Sequence, residues 1–131
     1  MRMWPVSPKV LCRKHLLGEH VEMHMFVGTI EKGKSIRGYI GKGLVDPKRI
    51  TARHNQLAKE MVRRGYNHNS PLEFDSTYLP EYKLFWKEGR EDLFGRCQEC
   101  KNRQLKLNKE KHVSNNKTAE RISFRTSTTF P

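Results

Sequence analysis

Glu22 stands inside a histidine-rich stretch, HLLGEHVEMH, in the part of the chain that carries most of its positive charge. A carboxylate in cationic surroundings suits either an ordinary salt bridge or a group that moves protons in a cleft, and spacing alone favours the salt bridge. His20 and His24 are four residues apart and could share a metal ion on one helix face, although an exposed pair is the commoner outcome. His54 falls within an apolar stripe, where a hydrogen-bonded core histidine is expected before a catalytic one. Cys97 and Cys100 form a lone CxxC, and a structural zinc needs about four ligands. Cys12 and His112 are candidates for the other two, but the spacing matches no zinc finger. The pair therefore reads as two thiols on a helix, and no metal site is assigned. One further group is the α-amine of Met1. Arg2 is too large for the usual removal of an initiator methionine, so the amine is expected to belong to Met1 itself.

The 131 residues fit one domain with one site. Net charge is +12, and it is uneven: residues 1–70 hold 14 Lys/Arg against 5 Asp/Glu, and residues 71–131 hold 12 against 9. A field of that kind favours a polyanion, most simply a nucleic-acid backbone. Hydrophobic residues make up only 35% of the chain, so its core must come from sparse, well-placed positions, and no stretch has the roughly 20 apolar residues needed to span a bilayer. Pro5, Pro8, Lys9, Arg13 and Lys14 interrupt any secretory apolar run, and three cysteines leave an odd thiol under every pairing. A reducing cytoplasmic setting is expected.

The elements that must position these groups read as helices. Ser7-Pro8 is a start signal and Gly28 a stop, which predicts a helix to about Phe26 with Val10, Leu17, Val21 and Met25 on its core stripe. His15, Glu19, Glu22 and Phe26 share a different face, and His20 and His24 form a third group. The glycine-rich segment EKGKSIRGYIGKGLV reads as a flexible basic loop able to follow a phosphate chain. Asp46-Pro47 and Gly65 bracket the clearest helix, with Ile50, Leu57 and Met61 inward, His54 among them, and Arg53 and Arg64 at the margin. Residues 66–86 read as an irregular packed connection. A third helix is expected over Arg90 to Leu107, with weak periodicity after it.

Three pieces in order carry a resemblance: Met1-Arg2-Met3-Trp4, then RKHLLGEHVE, then RHNQLAKEMVRRGYN. Over roughly residues 1–70 the chain resembles the pyrimidine dimer DNA glycosylase family. The resemblance implies that the amino-terminal amine, here of Met1, attacks the anomeric carbon of a damaged nucleotide, expels the base and forms an imine. An α-amine suits this, since its ordinary pKa of about 7.7 to 8.0 leaves a neutral fraction near pH 7 that an ordinary lysine, at about 10.4, lacks. It further implies that Glu22 is the essential glutamate, Arg2 a phosphate holder beside the nucleophile, His15 a residue of the same cleft, and Lys14 a DNA contact. The family's phage prototype has two DNA-gripping arginines where this chain has Val21 and Met25, and an aromatic, lysine-bearing carboxyl terminus where this chain ends RTSTTFP. Lys32, Lys34, Arg37 and Lys42 of the glycine-rich segment, and Arg53, are expected to supply phosphate contacts instead. Trp4 is expected to anchor the amino-terminal arm before it serves as a DNA wedge.

The expectation is an all-α, single compact domain of about three helices with long irregular connections over residues 1–112, followed by an arm or tail at 113–131. Its function would be a DNA glycosylase with abasic-site lyase activity. It would act as a monomer on duplex DNA containing damaged bases or abasic sites, through Met1 and Glu22, with no cofactor. A non-catalytic basic DNA-binding protein, or a metal-dependent nuclease using His20, His24 and Glu19, are the alternatives.

Overall fold

The computed structural model describes residues 1–111, so the tail from 113 onward and His112 lie outside the described residues. Five helices and no strand are found among them, as the all-α expectation requires. They are α1 (Arg13–Glu31), α2 (Arg37–Gly41), α3 (Ile50–Arg63), α4 (Trp86–Arg96) and α5 (98–111). No described helix is long and apolar enough to cross a membrane.

The first helix starts later and ends later than its sequence signals suggest. Ser7-Pro8 opens only a 3-10 turn over Pro8–Val10. The chain then extends through Leu11 and Cys12, and the Cys12 sulfur caps α1 by accepting from the His15 N–H. Gly28 lies inside α1, and the stop is Gly33, whose φ of 73° is a left-handed conformation that only glycine adopts without strain. The face assignment also changes. Leu16, Glu19, His20, Met23, Phe26 and Val27 are buried at i, i+3, i+4, i+7 spacing, while Val21 and Met25, expected in the core, are 54% and 49% exposed. Two polar residues on the buried face hid it from a hydropathy reading, because their partners lie elsewhere in the chain.

α3 follows its reading closely. Asp46 caps the 3-10 turn Pro47–Arg49, Gly65 ends the helix at φ 84°, and Ile50, His54, Leu57 and Met61 face inward against α1. The connection over residues 66–85 has no helix, yet it is held. Ser76 Oγ accepts from the Thr51 N–H and donates to the Lys48 carbonyl at 2.7 Å, and Asp46 Oδ1 accepts from the Tyr82 N–H. The glycine-rich segment is a helical turn rather than a loop: Ile36 is buried, α2 follows, and Gly43 (φ 68°) lies under the Phe85 ring, where a Cβ would meet ring carbons at 2.2 Å. The single third helix expected over Arg90 to Leu107 is two helices, broken at Cys97, whose φ of −136° and ψ of 100° are extended.

Candidate active site

The amino-terminal arm, residues 1–11, is fixed by groups that come from three helices. A buried ion pair forms its clamp. Glu19 of α1 is fully buried and Arg53 of α3 is 7% exposed; the guanidinium donates to the carboxylate through Nε at 2.5 Å and Nη2 at 3.0 Å. The spare valences of that pair hold the arm: Glu19 Oε1 accepts from the Trp4 N–H at 3.2 Å, and Arg53 Nη1 donates to the Val6 carbonyl at 2.8 Å. Burial pushes the Glu19 carboxyl up, and the Arg53 guanidinium opposes that by stabilising the carboxylate. Nearer α3's end, Glu60 binds Arg63 and Arg64, which hold its carboxyl down at about 2. Arg64 in turn donates to the Leu11 carbonyl at 2.8 Å. The Met3 N–H adds a bond to the Leu44 carbonyl at 2.7 Å.

With the arm so placed, the Met1 amine lies 3.5 Å from Glu22 Oε1, which also accepts from the Arg2 N–H at 3.2 Å. Both residues keep some exposure, 14% and 27%, so the pair sits at the rim of the core rather than inside it. Trp4 is buried, as expected of an anchor; the Arg2 guanidinium stacks 3.9 Å over its ring and donates to Asp92 of α4 at 2.6 Å. Gly89 of α4 lets Pro5 approach, since a Cβ there would meet the Pro5 ring at 2.6 Å.

Of the expected site residues, the structure brings Met1 and Glu22 together, and leaves Lys14, Lys32, Lys34, Arg37 and Lys42 exposed. It corrects one, Arg53, and gives two others, Arg2 and His15, partners within the protein. Arg53 is interior, because Glu19 and Val6 take up its donors. Arg2 turns its guanidinium inward to Asp92 and Trp4 rather than outward to a phosphate. His15 directs Nδ1 at thiols, 3.1 Å from Cys12 Sγ and 3.6 Å from Cys100 Sγ, with its ring edge against Trp4. The nuclease alternative loses Glu19, which is buried against Arg53. Val21 and Met25 flank Glu22 on the exposed side of α1, so an apolar surface occupies the positions that hold arginines in the phage prototype.

Two groupings differ in membership from the sequence reading, which lacked His68 in one and named His112 where the other has His15. His20, His24, His54 and His68 pack together, with His20 Nε2 2.9 Å from His68 Nε2 and His54 Nε2 3.1 Å from His24 Nε2. Their shared spacing on α1 and α3 was visible, but His68 comes from the irregular connection and had no periodic signal. The other is the set Cys12, His15, Cys97 and Cys100; the signal that could have found it is that Cys12-x2-His15 repeats the spacing of Cys97-x2-Cys100. A basic surface cleft of about 330 Å³, lined by Lys9, Arg63, Arg103, Lys106, Leu107 and Glu110, contains neither Met1 nor Glu22.

The segment that builds the Met1–Glu22 geometry is also the one the family comparison covers. The family model for pyrimidine dimer DNA glycosylase matches residues 1–74, which takes in the arm, α1, α2 and α3. The chain belongs to the pyrimidine dimer DNA glycosylase family. Membership assigns it a DNA repair role as a glycosylase acting on DNA with pyrimidine damage. No curated protein and no solved structure matches the chain. Relative to this family match, α4 and α5 lie outside the matched segment, yet α4 supplies Asp92 and Gly89 to the arm.

Proposed function

We propose that this glycosylase is bifunctional, using the Met1 α-amine as nucleophile and Glu22 as its proton-transfer partner. The 3.5 Å approach of the amine to Glu22 Oε1, at the rim of a firmly anchored arm, carries the reading. In the neutral form the amine nitrogen attacks C1′ of a damaged nucleotide displaced from the duplex. The glycosidic C–N bond breaks, and the base leaves with a proton. Loss of the ring oxygen bond gives an imine between the amine and the opened sugar. The imine acidifies C2′; Glu22 accepts that proton, the electron pair forms the C2′–C3′ double bond, and the 3′ phosphate departs, nicking the strand. Hydrolysis of the imine with water returns the amine. A carboxylate at this distance also stabilises the cationic sugar as base loss proceeds.

The substrate is duplex DNA carrying a pyrimidine dimer, with an abasic site entering the same path at the imine step. Lys14 on α1 and Lys32, Lys34, Arg37 and Lys42 around α2 supply phosphate contacts, being exposed cations next to the elements that hold Glu22. The proposed chemistry is carried by an amine and a carboxylate, and it needs no organic cofactor.

Borohydride trapping tests this. The protein is incubated with ultraviolet-irradiated and abasic duplexes, reduced, digested and mapped by mass spectrometry, with the intact amino terminus verified first. A crosslink at the Met1 nitrogen is expected on both duplexes. Cleavage without any trapped adduct, or an adduct at a lysine, would remove the amine from the mechanism.

A further inference from the structure

The three cysteines converge with His15 on one point. Cys12 Sγ, His15 Nδ1, Cys97 Sγ and Cys100 Sγ all lie within 4.8 Å of one another, and the three thiols are free of disulfide bonds. We propose that these four side chains bind one zinc ion in a closed structural site, which ties the root of the amino-terminal arm to α4 and α5.

The distances fit the ion. With Zn–S near 2.3 Å and Zn–N near 2.0 to 2.1 Å, a tetrahedron separates two sulfurs by about 3.8 Å and a sulfur and a nitrogen by about 3.6 Å. Cys12 Sγ and Cys97 Sγ are 3.8 Å apart, and Cys100 Sγ and His15 Nδ1 are 3.6 Å apart; the Cys12–His15 pair is closer, at 3.1 Å. Backbone geometry then explains why the four meet. Each half-site places its first cysteine in extended backbone just before a helix and its second ligand in the first turn. Cys12 (φ −67°, ψ 167°) precedes α1, and Cys97 (φ −136°, ψ 100°) precedes α5. The break at Cys97 that splits α4 from α5 is what turns CxxC into a bidentate half-site.

The surroundings suit thiolates. The Cys12 N–H donates to Cys100 Sγ at 3.2 Å, the Cys100 N–H to Cys97 Sγ at 3.4 Å, and the His15 N–H to Cys12 Sγ at 3.5 Å, so every sulfur accepts from a backbone amide. Cys12 and Cys100 are buried and the other two half-buried, so four protein ligands complete the shell and leave no open position for substrate or water. That marks a structural rather than a catalytic zinc. Binding displaces three thiol protons, and three thiolates against a divalent cation leave one negative charge. The half-sites are 85 to 88 residues apart, and the second falls beyond the segment matched by the family. The ion would thus join the family segment to the helices that carry Asp92 and Gly89, and it would fix His15, against whose ring Trp4 rests.

The test uses the full chain, purified under reducing conditions without chelator, with metal content measured by elemental analysis. One zinc per chain is expected. Replacing it by cobalt should give thiolate-to-cobalt charge-transfer absorption in the near ultraviolet together with the visible bands of a tetrahedral ion. Cys97→Ser and Cys100→Ser should each lower zinc content about tenfold or more, whereas His68→Ala, in the histidine cluster, should leave it at one per chain. Should the cysteine variants fail to fold, titrating folded wild-type protein with an organomercurial, read by a zinc-sensitive dye, should release one zinc as three thiols react. Metal-free folded protein, a cobalt spectrum without thiolate charge transfer, zinc lost in His68→Ala but kept in Cys97→Ser, or an intact mass lighter by two hydrogens from a disulfide would each overturn the site. None of these readouts depends on DNA cleavage, so they are independent of the imine mechanism.

Discussion

At the scale of single residues, what distinguishes Glu22 from Glu19 is not side-chain chemistry but what each carboxylate faces. Glu19, three residues earlier on α1, is sealed against Arg53 and spends its oxygens on the guanidinium and the Trp4 amide. Among the described residues, Glu22 takes the Met1 amine at 3.5 Å and the Arg2 amide at 3.2 Å, both main-chain nitrogens, and it is partly exposed. One carboxylate is committed to structure, and the other is the one to which the proposed mechanism gives the proton transfer. Glu22→Gln keeps the shape and an oxygen acceptor for the Arg2 amide while removing the base. Its thermal midpoint and its affinity for irradiated duplex should therefore stay close to wild type, while strand nicking falls by about 10² to 10⁴-fold, the usual size of a general acid–base contribution. Single-turnover nicking with binding measured in parallel checks this; nicking within threefold of wild type would assign Glu22 to arm positioning alone. Loss of Glu19 is a different case, because it would leave a buried guanidinium without its counterion, a change that typically costs about 3 to 5 kcal/mol and would also release the arm.

At the scale of elements, α1 and α3 meet through apolar side chains, the Glu19–Arg53 ion pair and a group of imidazoles. His20 of α1 is crowded by His54 of α3, by His24 one turn on, and by His68 of the connection. Burial first, and then those three rings, lower its pKa to about 4. Burial lowers that of His54 as well. A folded-state pKa below the unfolded value of about 6.5 means the unfolded chain binds protons more readily. The stabilisation is complete above pH 6.5 and is lost as pH falls toward 4, by about 2 kcal/mol at pH 5 for His20 alone. Urea unfolding at pH 7.5 and pH 5 should show that loss, and His20→Gln should flatten it; an equal pH slope in both proteins would place the acid sensitivity elsewhere. The same interface shows what was legible beforehand. α3 could be read from its caps and its Ile50, Leu57, Met61 spacing because His54 sits among those apolar residues, although the burial of Arg53 and Glu60 beside them was not legible. α1 could not, because Glu19 and His20 are buried against distant partners, Arg53 34 residues away and His68 48 residues away, while Val21 and Met25 point outward, so hydropathy selected the wrong stripe. Likewise Gly95 lies inside α4, and the break two residues later at Cys97 has no glycine or proline of its own to mark it. The Met1–Glu22 meeting came from resemblance, since nothing in local spacing brings residue 1 beside residue 22.

For the whole molecule, the formal net charge of +12 already subtracts the carboxylates held in ion pairs, so those pairs decide which cations are committed within the fold without lowering the excess that DNA would meet. In the first seventy residues Arg53 pairs with Glu19, Arg2 with Asp92, and Arg63 and Arg64 share Glu60, so the net excess is carried mainly by cations other than these arginines. Among the exposed cations of this half are Lys14 and, on and around α2, Lys32, Lys34, Arg37 and Lys42. Because α2 is a helical turn pinned by buried Ile36 and by Gly43 under Phe85, these cations are held as a fixed patch instead of being carried on a floppy loop. Counterion release turns that patch into a number. Each phosphate contact contributes about −0.9 to the slope of log affinity against log salt, so five contacts give about −4.5. Replacing Lys32 and Lys34 together by alanine should reduce the magnitude of that slope by about 2, equally for damaged and undamaged duplex, and leave single-turnover nicking at saturating protein nearly unchanged. Fluorescence anisotropy across a salt series measures it. A slope unaltered by the double change would move the DNA footprint off the α2 turn, with the basic cleft between Lys9 and Lys106 as the next surface to mutate.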